Sequence, residues 1–156
     1  MCEMSADEPS ADRPPILVSA CLLGLPTRYN GAHCRRREVL ALAADHVLIP
    51  ACPEQLGGLS TPREAAEISQ GSGEDVLDGR AQVINGSGTD VTANFLRGAE
   101  AVAQLAELVG ARRAVLKEGS PSCGVRRLTR AGADVRGPGV TTALLLRKGI
   151  EVDGIE

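Results

Sequence analysis

Residues 114–124 read Ala114-Val115-Leu116-Lys117-Glu118-Gly119-Ser120-Pro121-Ser122-Cys123-Gly124: a short apolar run, then a break of glycine, serine and proline that holds a cysteine. A bounded apolar run of this length reads as a buried strand, and the break places Cys123 just beyond its carboxyl end. Two other stretches repeat the arrangement. Cys21 closes Ile16-Leu17-Val18-Ser19-Ala20, and Cys52 closes Val47-Leu48-Ile49-Pro50-Ala51. Three expected strands each deliver one thiol.

If these strands are parallel neighbours, their carboxyl ends share one edge of one sheet, the crevice where open α/β sheets bind ligands. The three sulfurs then meet. Three soft thiolates converging in a pocket point first to a metal or cluster site. The fold class expected is α/β: one domain with an open, mainly parallel, Rossmann-like sheet and the site at the strand carboxyl ends.

Composition supports a single folded unit. At 156 residues the chain is long enough to bury a core without disulfide or metal staples, and with 43% hydrophobic and 24% charged residues it reads as globular. Tyr29 and Phe95 are the only aromatics, so the core is aliphatic and there are no platforms for base stacking. A net charge of -3 and a pI near 5.5 give no electrostatic case for nucleic acid or an anionic membrane surface. No run approaches the roughly 20 apolar residues of a membrane span. Met1 to Arg13 is polar and acidic rather than a basic leader, so residues 1–13 are expected to be a disordered tail, 14–156 a single domain, and the protein cytoplasmic. The five cysteines are odd in number and irregularly spaced, which favours reduced thiols over a disulfide framework.

In chain order, Pro14-Pro15 leads into a first strand over about 16–22, followed by a loop with Gly24, Pro26 and Asn30-Gly31 that would cover the crevice. Arg36 to Ala44 has helical spacing, with Val39, Leu40 and Ala43 on one face, and a second strand spans 47–51. Glu54 lies two residues past Cys52. It is open to two readings, a general acid or base whose pKa burial has raised, or a first-turn helix glutamate facing water. Arg63 suits an ion pair with a carboxylate or a polar substrate edge, most often at the surface. Residues 81–84 form a brief strand, and the turn over 85–90 leads into a long helix with Thr89 or Asp90 as N-cap and Gly110 as its stop. Gly86-Ser87-Gly88 lacks the third glycine of a dinucleotide fingerprint. Leu128 to Val135 reads as a hairpin, Val140 to Lys148 as a helix, and 150–152 as a last edge strand.

Four segments in this order resemble a bacterial family first catalogued as a domain of unknown function, whose characterised members are thiouracil desulfurases. They are Val18-Ser19-Ala20-Cys21-Leu22-Leu23-Gly24 with Arg28-Tyr29-Asn30-Gly31, Cys52-Pro53-Glu54-Gln55-Leu56-Gly57-Gly58-Leu59 with Thr61-Pro62-Arg63, Gly88-Thr89-Asp90-Val91-Thr92 with Phe95 and Gly98-Ala99-Glu100, and 117–124. The resemblance covers nearly all of 16–152. It implies a 4Fe-4S cluster held by Cys21, Cys52 and Cys123, with one iron lacking a protein ligand. It also implies catalytic positions at Glu54 and Ser120, and a non-redox reaction in which a thiocarbonyl compound such as 2-thiouracil exchanges sulfur for oxygen and releases sulfide. The substrate would be a small thiolated pyrimidine or related thioamide. Arg28 and Tyr29 are the residues expected to line its pocket.

Other readings of the same residues stay open. Cys21, Cys52, Cys123 and His33 would suit a four-ligand zinc site in a structural or regulatory module, although no Cys-x-x-Cys pair is present. A cluster-free thiol hydrolase would need His33 or His46 as base. Ser120 and Ser122 beside Pro121 also suit a simple hydrogen-bonded turn. Cys34, among His33 and Arg35 to Arg37, is expected to be a non-ligand, and Lys117 and Glu118 belong to the family-like motif but also suit solvated charges at a strand end, so their roles are left open. The oligomeric state is left open.

Overall fold

The structure is a computed structural model that describes residues 13–156, so the expected tail, Arg13 apart, lies outside the described residues. The elements in order are β1 (Pro15–Ser19), α1 (Arg37–Leu40), β2 (Val47–Ala51), α2 (Pro53–Leu56), β3 (Ala66–Ile68), α3 (Gly73–Leu77) and β4 (Val83–Asn85). There follow α4 (Thr92–Val109), β5 (Arg113–Lys117), β6 (Arg127–Arg130), β7 (Ala133–Arg136), α5 (Val140–Arg147) and β8 (Glu151–Ile155).

The apolar runs at 16–18 and 114–116 form the middle of a parallel sheet of order β2-β1-β5-β8. Because strand side chains alternate, the two runs feed both faces. Leu17, Ala114 and Leu116 pack with Val102 and Ala106 of α4 and Leu145 of α5, while Ile16, Val18 and Val115 pack with Leu22 and Val39. Each Val, Leu or Ile side chain fully buried this way contributes about 1.5–3 kcal/mol. The α/β class and the parallel sheet are as expected, and the strands preceding Cys21, Cys52 and Cys123 are β1, β2 and β5, which lie side by side in the order β2-β1-β5.

A second core, with Phe95 at its centre, joins α4 to two small antiparallel sheets, β3-β4 and β6-β7. The helix α2 lies on α4 at unusually close range. A Cβ on Gly98 would fall inside contact distance of the Pro53 carbonyl, and one on Gly57 would strike the Asn94 carbonyl. Two glycines thus let the short helix that follows Cys52 sit directly on the long one.

Several boundaries differ from expectation. β1 ends at Ser19, because Ala20 to Leu23 winds into a 3-10 turn that Gly24 closes at φ 94°. The N-cap of α4 is Val91, yet the Asp90 carboxylate still accepts the Thr92 N–H at 2.9 Å, and Gly110 stops the helix at φ 72°. The hairpin, α5 and the edge strand β8 form where expected. No helix among the described residues is long and apolar enough to cross a membrane.

Candidate active site

Each of the three cysteines is held by a different local device at the carboxyl end of its strand. Cys21 rides the 3-10 turn after β1. Cys52 is the N-cap residue of α2, where Pro53 at the first helical position needs no N–H partner, and its thiol donates to the Thr27 carbonyl at 3.7 Å. Cys123 sits in a tight turn built by Ser120, whose Oγ accepts the N–H groups of Ser122 at 3.1 Å and Cys123 at 2.8 Å. That turn is docked onto the N-terminus of α5. The Val140 N–H donates to Pro121 O at 2.8 Å, the Thr141 N–H to Ser122 O at 3.0 Å, and Thr142 Oγ1 to Cys123 O at 3.0 Å. Helix amides that would otherwise lack partners therefore fix the cysteine loop.

The three cysteines line one cavity of about 420 Å³ together with Glu54, Arg63, Ser120, Arg28 and Tyr29. The sequence-expected positions thus come together. Tyr29 is partly exposed at the mouth, with the Arg28 guanidinium 5.8 Å from its ring centroid, a cation–π contact. His33, Cys34 and His46 are not among the lining residues. His33 Nδ1 accepts the Arg35 N–H at 3.3 Å, and Cys34 is tied to Cys21 through its N–H, which donates to the Cys21 carbonyl at 3.0 Å. Among the described residues no group of three or more His, Cys, Asp or Glu side chains is arranged to hold a single metal ion.

Burial dominates the thiol electrostatics. It pushes Cys21 well above the usual thiol value, reinforced by the Cys34 thiol and by the neighbouring sulfurs of Cys123 and Cys52. Burial also raises Cys123 to about 11, against the pull of hydrogen bonds from Ser19 and Ser122. Both thiols hold their protons at neutral pH in the bare protein, so any metal that binds them must displace protons.

Two acidic residues belong to the site's frame. Glu54 Oε2 accepts from Arg63 Nη2 at 2.7 Å, and Oε1 accepts no hydrogen bond from the described residues. The sequence leaves the roles of Lys117 and Glu118 open, and the solvated-charge reading does not hold for Glu118, whose side chain has 0% exposure. Its carboxylate accepts the N–H of Val125 at 2.6 Å and of Arg126 at 3.0 Å, and Arg126 Nε at 2.8 Å. Burial acts to raise its pKa, but the Arg126 guanidinium and the backbone N–H groups outweigh it and leave it below the usual carboxylate range. Gly154 makes room, since a Cβ there would overlap this carboxylate. Glu118 thus ties both ends of the Ser120–Cys123 turn to β5. Lys117 lines the cavity, its Nζ on the Glu118 carbonyl at 3.3 Å.

An open parallel sheet that brings three thiols, a carboxylate and a hydroxyl to one crevice at its strand ends has the architecture of an α/β enzyme with a soft, sulfur-rich centre. The chain belongs to the 2-thiouracil desulfurase family, whose model matches residues 16–155. The uncharacterized protein YbbK of Bacillus subtilis strain 168 is 46% identical over 140 residues, covering 88% of this chain and 93% of that one. A solved structure described as a 4Fe-4S-dependent thiouracil desulfidase, TudS, matches at TM-score 0.79 and 45% identity over 91% of each chain.

Proposed function

We propose that the chain is a 4Fe-4S-dependent desulfurase that converts a thiocarbonyl compound such as 2-thiouracil to its oxo form and releases sulfide without net electron transfer. The observation that carries this is the convergence of Cys21, Cys52 and Cys123, from three adjacent parallel strands, on the cavity that also holds Glu54 and Ser120.

The donor set fits a cluster better than one ion. A zinc ion needs four donors within about 2.3 Å of one point, and the described residues offer no such group. A four-iron cube spreads its thiolate ligands over separate irons, which suits three thiols that line one cavity from three different strands. Cys21, Cys52 and Cys123 would hold it. Bound by three thiolates, it supplies one iron without a protein ligand, a Lewis acid suited to the soft sulfur of a thiocarbonyl group.

The chain's own groups supply the proton chemistry. Arg63 occupies Glu54 Oε2, which leaves Oε1 to take the proton of an attacking water. Ser120 Oγ accepts two backbone N–H bonds, which polarises its O–H, and it lies 2.9 Å from Ser122 Oγ in a hydroxyl–hydroxyl hydrogen bond for which a substrate heteroatom can compete. Arg28 and Tyr29 bind the flat face and edge of the ring at the cavity mouth. The balance is thiocarbonyl plus water giving carbonyl plus hydrogen sulfide.

The test is turnover of 2-thiouracil by anaerobically reconstituted protein in ¹⁸O-labelled water, with no reductant. Equal amounts of uracil and sulfide, with the new oxygen labelled, are expected. Absolute dependence on an electron donor, or an unlabelled product, would overturn the hydrolytic reading.

A further inference from the structure

Arg63 makes more contacts than an ion pair with Glu54 requires. Its side chain is 6% exposed, so the surface ion pair expected of such a residue is not what the fold builds. Nη1 donates to Thr61 Oγ1 at 2.9 Å and to Ser60 O at 3.3 Å. Nη2 faces three acceptors: Glu54 Oε2 at 2.7 Å, the Thr27 carbonyl at 2.9 Å and Cys52 Sγ at 3.9 Å. The backbone N–H of Arg63 donates to the Tyr29 carbonyl at 2.7 Å. Nε is buried and finds no partner among the described residues. Burying a guanidinium with an unsatisfied N–H is costly. A loop staple alone does not explain that cost.

We propose that Arg63 is a positioning residue for desulfuration: one rigid guanidinium holds the Glu54 carboxylate and the Cys52 sulfur in fixed relation and draws the Thr27–Tyr29 segment over them. This rests on the roles assigned above to Glu54 and Cys52. The geometry bears it in three ways. First, Glu54 and Cys52 share the nitrogen Nη2, so the carboxylate that carries the water-activating Oε1 and the sulfur are both referenced to one rigid group. Second, the bare Cys52 thiol donates to the Thr27 carbonyl, but a cysteinate would meet that carbonyl as a second acceptor. Nη2 has two hydrogens for its three acceptors, so the one not taken by Glu54 is shared between the Thr27 carbonyl and Cys52 Sγ and offsets the repulsion. Third, an N–H donor on a ligand sulfur withdraws electron density from an iron-sulfur centre and raises its reduction potential. Lysine cannot substitute, because a single ammonium lacks the planar fork that reaches Thr61 on one side and Glu54 on the other.

The test compares reconstituted wild type with Arg63→Ala and Arg63→Lys in iron content, reduction potential, kcat and KM for 2-thiouracil, with and without added guanidinium ion. Both variants are expected to load iron as wild type does and to have a more negative potential. In Arg63→Ala, kcat should fall about 100-fold, the effect of a misplaced acid–base group, with KM little changed. Guanidinium ion in the buffer should restore at least about a tenth of the lost rate to Arg63→Ala, and the lysine variant should stay impaired. Three outcomes overturn the proposal: kcat of Arg63→Ala within about twofold of wild type; lowered kcat with unchanged potential and no guanidinium rescue; or loss of iron from both variants, which marks a loop staple. Wild type that binds no iron and turns over no thiouracil would instead bring down the parent reading, and this one with it.

Discussion

Replacing Glu118 with Gln tests the physical frame of the site, because the buried carboxylate stitches residues 118 to 126 into one rigid turn. Three donors converge on it, Val125 N–H, Arg126 N–H and Arg126 Nε. A hydrogen bond to a charged acceptor contributes about 1.5–3 kcal/mol and a neutral one about 0.5–1.5, so losing the charge costs about 1 kcal/mol per bond. The Arg126 side chain is 70% exposed, and its share is screened by water. About 2 kcal/mol remains from the two backbone donors. For a chain of this length that is a fall in Tm of about 4–8 °C. The pH dependence has a definite sign. The folded pKa of Glu118 lies below its ordinary value, so its stabilisation is complete above the unfolded carboxylate pKa of about 4.3. It is lost as pH falls through the lower folded value. Wild type should therefore exceed Glu118→Gln in denaturant-unfolding stability at pH 7, and the gap should shrink below about pH 4.3. Equal stability at pH 7, or a gap that widens in acid, would refute the reasoning.

The remaining predictions concern how the site is delivered and how it works. Gly98→Ala drives a methyl group into the Pro53 carbonyl and should cost about 1–3 kcal/mol by overpacking, with reduced iron loading because Cys52 and Glu54 ride on α2. Unaltered Tm and iron content would show that α2 and α4 do not need their close approach. Glu54→Gln and Ser120→Ala should each retain iron while kcat falls about 100-fold or more. Full turnover in either variant clears that residue from the mechanism. Cluster loading should strengthen from pH 7 toward pH 9, since burial holds Cys21 and Cys123 in their protonated forms and binding must release those protons. Iron titrations at several pH values check this, and a flat profile would contradict it.

The sheet was legible because burial on both faces leaves unbroken apolar runs at 16–18 and 114–116, and parallel strands need little else to be recognised. The three cysteines were legible for the same reason, each marking the end of such a run. Short elements left weaker traces. β3 has three residues and no period to read, and the five-residue α3, whose capping box of Ser72 and Asp75 is seen in the structure, is likewise not read from the sequence. The burial of Glu118 and Arg63 was not legible, since a charge looks alike in sequence whether water or other chain segments solvate it. What buries Glu118 is a glycine 36 positions away, Gly154, and a loop whose N–H groups point inward. The turn reading of Ser120 and its catalytic reading were posed as alternatives, yet the same Oγ that caps the turn is the one presented to the cavity.

The most direct measurement is iron and acid-labile sulfide content, with the visible spectrum, of anaerobically reconstituted wild type beside Cys21→Ala, Cys52→Ala, Cys123→Ala and Cys34→Ala. A brown protein with about four irons per chain, lost in the first three variants and kept in the Cys34 variant, is the expected result. A colourless or stoichiometric zinc protein, or a cluster indifferent to any of the three cavity cysteines, would contradict it.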